Sequence, residues 1–387
     1  MNDVPPEEAT VSGNIISIAR YTAGSNTDNE YLALAADGGL RYKLASNQTH
    51  GSWNTYDVTQ VINGFSYHAY DYYNSTHNGY QILKVLADSN YLYLFCASYK
   101  NDSDSGITVT DTFYIWGIKP TVNADGTWST ENCEVKTVSI PDDTFPTYIS
   151  SEIQYSAFSI FSTNAPQKNN RRVYIRTGKL DTSYSTITYF QLSDGTISSA
   201  GSLTPADSSD TNQISSVVMF NGSPVFFNSK AATTNETYSS AASRIYYGNG
   251  SSLYYSDTSG SNFTSALDAS YQITSLTTTA DSILIGRGTE YDSTSTTSST
   301  GGVVRTSLTD GVPASALVDF TSNASFKLTS AYYILTTINA SPDQTEANSS
   351  LYATMTFSGT GSSSSSVSYD DIGLWSYYPA RGNWNRE

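Results

Sequence analysis

Apolar and aromatic residues in this chain fall in short, strand-length runs separated by turn residues. The run from Leu40 to Leu44 shows the pattern at its cleanest: Leu40, Tyr42 and Leu44 are apolar, while Arg41 and Lys43 are charged. That two-residue alternation is what a half-buried strand requires. A small motif punctuates the runs. Gly followed closely by an aromatic or apolar residue occurs as "GSW" (Trp53), "GTW" (Trp128), "GTI" (Ile197), "GSNF" (Phe263), "GVP" (Val312) and "GNW" (Trp384). The motif recurs about every 66 residues, a repeat period that marks a stacked or radial architecture.

Each interval holds the same order of strands. Strand A is an apolar run: "IISIARY", "YQILKVLAD", "FSIFSTN", "SSVVMFN", "ITSLTTTAD", "YYILTTINA". Strand B follows a turn: "EYLALAAD", "NYLYLFCAS", "RRVYIRTG", "SPVFFNS", "SILIGRG", "LYATMTF". Strand C comes after a loop of variable length: "LRYKLA", "TFYIWGI", "ITYFQL", "SLYYSD", "VVRTSL", "IGLWSYY". The Gly motif then opens strand D. Thr, Tyr, Val, Ile and Phe are abundant, and all favour strands. Six four-stranded antiparallel units predict an all-β fold, a six-bladed β-propeller. A β-sandwich would not be expected to repeat one strand order six times. The propeller occupies residues 14–387 as one domain, and residues 1–13 form a polar N-terminal tether. The fourth unit fits least well, because it carries an extra strand-like "RIYYGN" between B and C. Residues 8–12 could add a strand to the last blade, although the sequence does not require it.

Propeller topology turns the repeat into two faces. Strands alternate in direction, so A–B and C–D turns share one face, and B–C and D–A connections share the other. The long segments concentrate on the second face. Its B–C loops are "YKNDSDSGITVTD", "SKAATTNETYSSAAS", "TEYDSTSTTSSTGG" and "SGTGSSSSSVS", and its D–A connections span 61–78, 137–154 and 198–212. Elaborate loops on a rigid scaffold are where binding usually resides. One segment stands apart: "FSYHAYDYYNSTHNGY" carries Tyr67, His68, Tyr70, Tyr72, Tyr73 and His77. Rings with polar edges suit stacking on a glycan or docking of a protein partner, and they suit packing against the blade tops equally well. On the same face, Arg176 and Arg287 end B strands and Arg305 opens a C strand. Facing inward they would hold carboxylate or sulfate groups, and facing outward they would balance nearby acids.

Composition narrows the partners. The net charge is −16, yet only 14% of residues are charged, and the polarity comes from Ser, Thr, Asn and 31 Tyr. A polar but weakly charged surface suits an extracytoplasmic protein, secreted or held at the cell surface. The acidity excludes a backbone-driven nucleic-acid binder. The tether reads as the start of a lipoprotein with Met1 in place of the lipidated cysteine, as a cleaved secretory protein, or as a native start. A lipid anchor would be the only membrane association. No cofactor is expected. "NDSDSG" resembles a calcium loop, with Asp102 and Asp104 as oxygen ligands, but lacks the spacing and terminal Glu of an EF-hand.

"SLYYSDTSGSNF" resembles the Asp-box turn, S-x-D-x-G-x-T-W, of sialidases. Aligned on Gly260, Ser256 matches the serine, Phe263 replaces the tryptophan and Thr258 stands where the aspartate belongs. The longer "RIYYGNGSSLYYSDTSGSNF" is similar to the R-x-Y-Y strand of six-bladed fungal fucose-binding lectins. Both resemblances imply a propeller whose turns carry the motif, with Trp53, Trp128, Phe263 and Trp384 packing between sheets. A sialidase-like glycoside hydrolase would also need three convergent arginines, a Tyr–acid nucleophile pair and a carboxylic acid donor. Arg176, Arg287 and Arg305 come from the third and fifth units only, and Arg20 falls at the opposite face. The favoured function is therefore a non-enzymatic module that binds a glycan or protein through the long-loop face. A glycoside hydrolase is the alternative, followed by a structural subunit of a surface assembly or virion.

Strand C of the second unit lies between Cys96 and Cys133. Neighbouring strands are about 4.8 Å apart, which sets the two cysteines near 10 Å. A disulfide needs Cα atoms within about 7 Å. Denaturing alkylation without reductant should therefore modify both of the chain's cysteines. An unmodified pair under those conditions would contradict the strand order.

Overall fold

The structure is a computed structural model. It describes residues 15–22, 30–36, 39–44, 53–67, 69–71, 76–88, 90–101, 108–138, 156–162, 171–179, 187–203, 216–220, 223–227, 236–239, 244–249, 251–257, 262–270, 272–288, 302–319, 333–339, 345–348, 351–357, 373–379 and 382–386. Apart from two short 3-10 turns, the regular elements among these residues are all strands.

The first antiparallel sheet comprises β1 (Ile15–Thr22), β2 (Glu30–Ala36), β3 (Gly39–Leu44) and β4 (Asn54–Tyr56), in that spatial order. A small hairpin follows, β5 (Ala69–Asp71) with β6 (Thr76–Asn78). The second sheet is β7 (Tyr80–Ala87), β8 (Leu92–Asn101), β9 (Thr108–Val122) and β10 (Trp128–Thr137). The third is β11 (Ser156–Ser162), β12 (Arg171–Lys179), β13 (Ile187–Ser193) and β14 (Thr196–Leu203). After it come the hairpin of β15 (Ser216–Phe220) and β16 (Ser223–Phe227), and then the sheet of β17 (Glu236–Ser239), β18 (Arg244–Asn249), β19 (Ser252–Ser256) and β20 (Phe263–Asp268). The last strands are β21 (Gln272–Thr278), β22 (Ser282–Gly288), β23 (Gly302–Thr309), β24 (Val312–Pro313) and β25 (Val318–Asp319), then β26 (Tyr333–Asn339), β27 (Leu351–Phe357), β28 (Gly373–Tyr378) and β29 (Asn383–Arg386). A single residue pair, Gly288 with Ile334, joins these last two units into one strand network.

The protein is all-β and built largely of antiparallel four-stranded sheets. The first strands touch in a cycle: β1 contacts β7, β7 contacts β11, β11 contacts β17, β17 contacts β21, β21 contacts β26, and β26 returns to β1. Burial in β2 shows what this does to a sheet. Every side chain from Tyr31 to Ala35 is fully buried. Tyr31, Ala33 and Ala35 join a core with Ile82, Val85 and Leu94 of the second sheet, while Leu32 and Leu34 join Tyr352 and Leu374 of the last unit. Alternate residues thus serve opposite neighbours, and the unbroken apolar run "YLALA" is the signature of a strand covered on both faces.

The fourth unit differs from the sequence expectation. The runs read as its A and B strands form the separate β15–β16 hairpin, and "RIYYGN" is β18, the second strand of the sheet. The first strand, β17, comes from the Ser/Thr tract read as a B–C loop. Its segment Glu-Thr-Tyr-Ser has strand-favouring Thr and Tyr and pairs in register with Arg244–Tyr247. The B–C loop of the second unit is also shorter than expected. Tyr99, Lys100 and Asn101 continue the ladder opposite Thr110, Val109 and Thr108. Cys96 lies in β8 and Cys133 in β10, with β9 between them, and both are free thiols.

The C–D turns dock onto the preceding sheet. The Gly of the repeat motif follows an Asp in Asp125–Gly126, Asp194–Gly195 and Asp310–Gly311, and all three glycines have positive φ. A tyrosine from strand B of the previous unit meets each one. The Tyr31 hydroxyl donates to the Gly126 carbonyl at 2.9 Å, the Gly195 N–H donates to the Tyr93 hydroxyl at 2.7 Å, and the Tyr246 hydroxyl donates to the Gly311 carbonyl at 2.6 Å. Tyr93 in turn donates to the buried Asp88 carboxylate, whose oxygens also accept from the backbone of Asn90, Tyr91 and Asp194. The residue after the turn then wedges between sheets. Trp128 stacks on Tyr42 at 4.1 Å, with Tyr21, Tyr31 and Tyr56 meeting it edge-on. Trp53 packs against Ile18, Leu32, Leu34, Tyr352 and Leu374, where the first sheet meets the last unit.

Removing a lock hydroxyl leaves buried backbone groups unpaired, which costs about 1–3 kcal/mol. Tyr246→Phe and Tyr93→Phe should each lower the urea midpoint. Tyr93→Phe should lower it more, because it also deprives a buried carboxylate of a donor. Unchanged midpoints would show that the contacts do not hold the sheets together.

Candidate functional site

Among the described residues, the segment between the first two sheets builds the most developed feature on the B–C/D–A end. Its path is set by backbone bonds. Asp57 caps a 3-10 turn over Val58–Gln60 by accepting from the Thr59 N–H at 3.1 Å. The chain then doubles back so that the Val58 N–H donates to the Tyr67 hydroxyl at 3.2 Å, and that hydroxyl donates to the Tyr56 carbonyl at 3.4 Å. The Tyr80 N–H donates to the Ser66 carbonyl at 2.8 Å. Gly79 makes the approach feasible. Its φ is +81°, and a Cβ there would stand 2.7 Å from the Ser66 carbonyl oxygen and overlap that of Tyr67.

These bonds assemble a ladder of rings. Phe65 stacks on Tyr80 at 5.5 Å and meets Tyr67 and Trp116 edge-on at 5.3 and 5.5 Å. Tyr80 meets Trp116 edge-on at 5.2 Å and Tyr114 edge-on at 5.7 Å. Tyr114 lies on Trp116, with centroids 5.1 Å apart and planes 19° from parallel. Tyr114 and Trp116 are two residues apart on β9, hence on the same face of the strand. The ladder grades from buried to open, since Phe65 and Trp116 are buried and Tyr114 is 38% exposed. Beside it, the β5–β6 hairpin pairs Tyr70 with His77 and contacts β8 through β6.

The residues singled out from the sequence are distributed as follows. Tyr67 is half-buried, and its hydroxyl is engaged by the backbone of Tyr56 and Val58; burial raises its pKa. Tyr70 lies in β5. His68, Tyr72 and Tyr73 lie outside the described residues, as do Asp102 and Asp104. Arg176 lies in β12 opposite Ser159, and Arg287 in β22 opposite Ile273. Arg305 is the fourth residue of β23, and its guanidinium pairs with Glu346 in the A–B connection of the last unit. That carboxylate also accepts from the Ser282 hydroxyl at 3.0 Å, and the Glu346 N–H donates to Asp281 at 2.7 Å. Arg305 is therefore a strut between two sheets, directed toward the A–B end, where Glu346 offers a charged partner. Tyr114 and Trp116 escaped the sequence reading. They sit in a strand C that looks like ordinary core, and only their stacking beside Tyr80 sets them apart.

Among the described residues, two tyrosine–carboxylate pairs occur on the A–B side. Tyr93 donates to Asp88, and Tyr91 donates to Glu134 at 2.6 Å. Burial raises the pKa of both hydroxyls, so they are poor nucleophiles and good struts. Ser256 of the Asp-box-like turn is buried, accepts from the Ile245 N–H at 2.9 Å and donates to the Asp257 carbonyl at 2.8 Å, while Asp257 and Asn262 bond to one another. Phe263 meets Tyr247 edge-on at 4.9 Å. The turn is used for construction. Among the described residues, no group of three or more His, Cys, Asp or Glu could hold a metal ion.

No protein-family model matches the chain, and no curated protein sequence does either. Solved structures share a loose likeness. A prolyl endopeptidase is 10% identical with a TM-score of 0.42, covering 97% of this chain and 48% of that one, so the chain spans about half its length. The Dos1 propeller is 12% identical with a TM-score of 0.40, covering 89% and 91%. Levansucrase from Bacillus subtilis is 9% identical with a TM-score of 0.40, covering 99% and 90%.

Gly79→Ala should destabilise the protein well beyond Gly64→Ala. Both glycines have positive φ, which costs a non-glycine residue about 1–2 kcal/mol. A Cβ at Gly64 meets nothing within 4 Å, whereas one at Gly79 meets backbone. Equal shifts in melting temperature would show that the close approach of Tyr67 to Gly79 is absent in solution.

Proposed function

We propose that the chain is a six-bladed propeller acting as a non-catalytic, extracytoplasmic binding module. It takes a glycan or protein on the face where the B–C and D–A connections emerge. The six blades begin with β1, β7, β11, β17, β21 and β26, and the β15–β16 hairpin is an insertion between the third and fourth. One observation carries the functional reading: a ladder of packed rings rises through the junction of the first two sheets and ends in the exposed ring of Tyr114. Solvent-exposed, rigidly held aromatic surface at a loop-bearing rim is typical of recognition sites. The pairing of Arg305 with Glu346 weakens the hydrolase alternative, which needs that arginine free for a substrate carboxylate. The extracytoplasmic assignment rests on the scarcity of charge, 14% of residues. No helix among the described residues is long and apolar enough to cross a membrane.

A glycan array tests the face. Tyr72 and Tyr73 are the substitutions to make, because Tyr67 is needed by the fold. The double variant Tyr72→Ser/Tyr73→Ser should cut the signal about tenfold or more, as truncation of central aromatic contacts does. Ser307→Ala, an exposed position near the C–D turn, should leave it unchanged. Binding that survives the double variant and falls with Ser307→Ala would reject the assignment of the face.

A further inference from the structure

Resting on that reading of the face, we infer that Tyr114 is the platform on which one pyranose ring of a neutral glycan stacks. Trp116 covers one side of the Tyr114 ring, and Tyr80 braces both rings edge-on. Tyr114 nevertheless keeps 38% of its surface exposed. Phe65 packs against Tyr80 and Trp116 and is buried, so the stack is backed by core. A ring held this way loses little conformational freedom on binding.

Size selects the occupant. Among the described residues, Tyr114 and Val318 are the large hydrophobic side chains exposed at the surface, and they belong to the second and fifth units. A stable protein interface buries about 800 Å² on each partner around an apolar core. A whole aromatic side chain supplies about 150–250 Å². What the described residues expose here is one phenol ring, whose face suits the C–H face of a single sugar ring, with its hydroxyl able to bond a sugar hydroxyl. Charge selects further. The chain carries −16, so its field repels sialylated or sulfated glycans and is indifferent to neutral ones.

The test titrates the full chain with the methyl pyranosides of glucose, galactose, mannose and fucose, and with sialyllactose. Saturation-transfer NMR and tryptophan fluorescence are the readouts, because Trp116 lies under the platform. At least one neutral pyranoside should bind saturably, and sialyllactose should bind no tighter than it. Tyr114→Ala and Tyr114→Leu should each weaken binding about tenfold or more, and Tyr114→Phe should retain it. Circular dichroism checks that each variant is folded. The inference is overturned if no neutral pyranoside saturates, if sialyllactose is clearly preferred, or if Tyr114→Leu binds as the parent does. Pyranoside binding that persists in Tyr114→Leu and is lost in Tyr72→Ser/Tyr73→Ser would overturn the Tyr114 platform while leaving the face assignment standing.

Discussion

The structure depends on how its sheets are fastened together, and at three junctions among the described residues the fastening is a tyrosine hydroxyl against the backbone of an Asp–Gly turn. Tyr31, Tyr93 and Tyr246 occupy equivalent places in strand B of three units and reach Gly126, Gly195 and Gly311 of the units that follow. The hydroxyl works in both senses, donating to a carbonyl in two junctions and accepting an N–H in the third. Burial raises the pKa of Tyr31 and Tyr93, so the phenols keep their protons at neutral pH. An apolar contact alone would fix the spacing between sheets but not their angle. A directional bond to a turn whose φ only glycine adopts readily fixes both.

That constraint explains the composition. β2 is covered on both sides by neighbouring sheets and becomes an unbroken apolar run. The tyrosines satisfy two demands at once, filling the gap between sheets and bonding across it. Trp128 shows the limit of this economy, its ring held by four tyrosines of the preceding sheet and its backbone N–H donating to the Tyr42 hydroxyl at 2.8 Å. Lys43 plays a related part between the first sheet and the last unit, where its buried ammonium lies 4.9 Å from the Trp53 ring and 5.7 Å from that of Tyr352.

Much of this was legible in the sequence, and the failures have physical causes. The Gly motif and the A–B–C–D order gave the sheets, because turn glycines and strand periodicity are local properties. The Tyr–Gly locks were not visible, since the partners are far apart in sequence: 95 residues for Tyr31 and Gly126. The fourth unit misled because "SVVMF" and "SPVFF" are better strand formers than "ETYS", and only pairing with β18 makes the latter a strand. In the site, the aromatic segment was noticed, yet Phe65, Tyr67 and Tyr80 are its inward anchors. The outward ring comes from Tyr114, in a strand whose pattern looks like core. Arg305 misled in the opposite way: its place in the chain put it near the rim, and an acid in the next unit drew it to the other end.

The first sheet and the last unit are clasped through a shared core of Ile18, Leu32, Leu34, Tyr352 and Leu374. Native-state hydrogen exchange tests this most directly. Leu32 and Leu34 of β2 share a core with Tyr352 of β27, so amides of β2 and β27 should exchange only through one common opening, with the same free energy and denaturant dependence. Exchange of β27 through a separate, lower-energy opening while β2 stays protected would contradict the clasp and, with it, the closed arrangement.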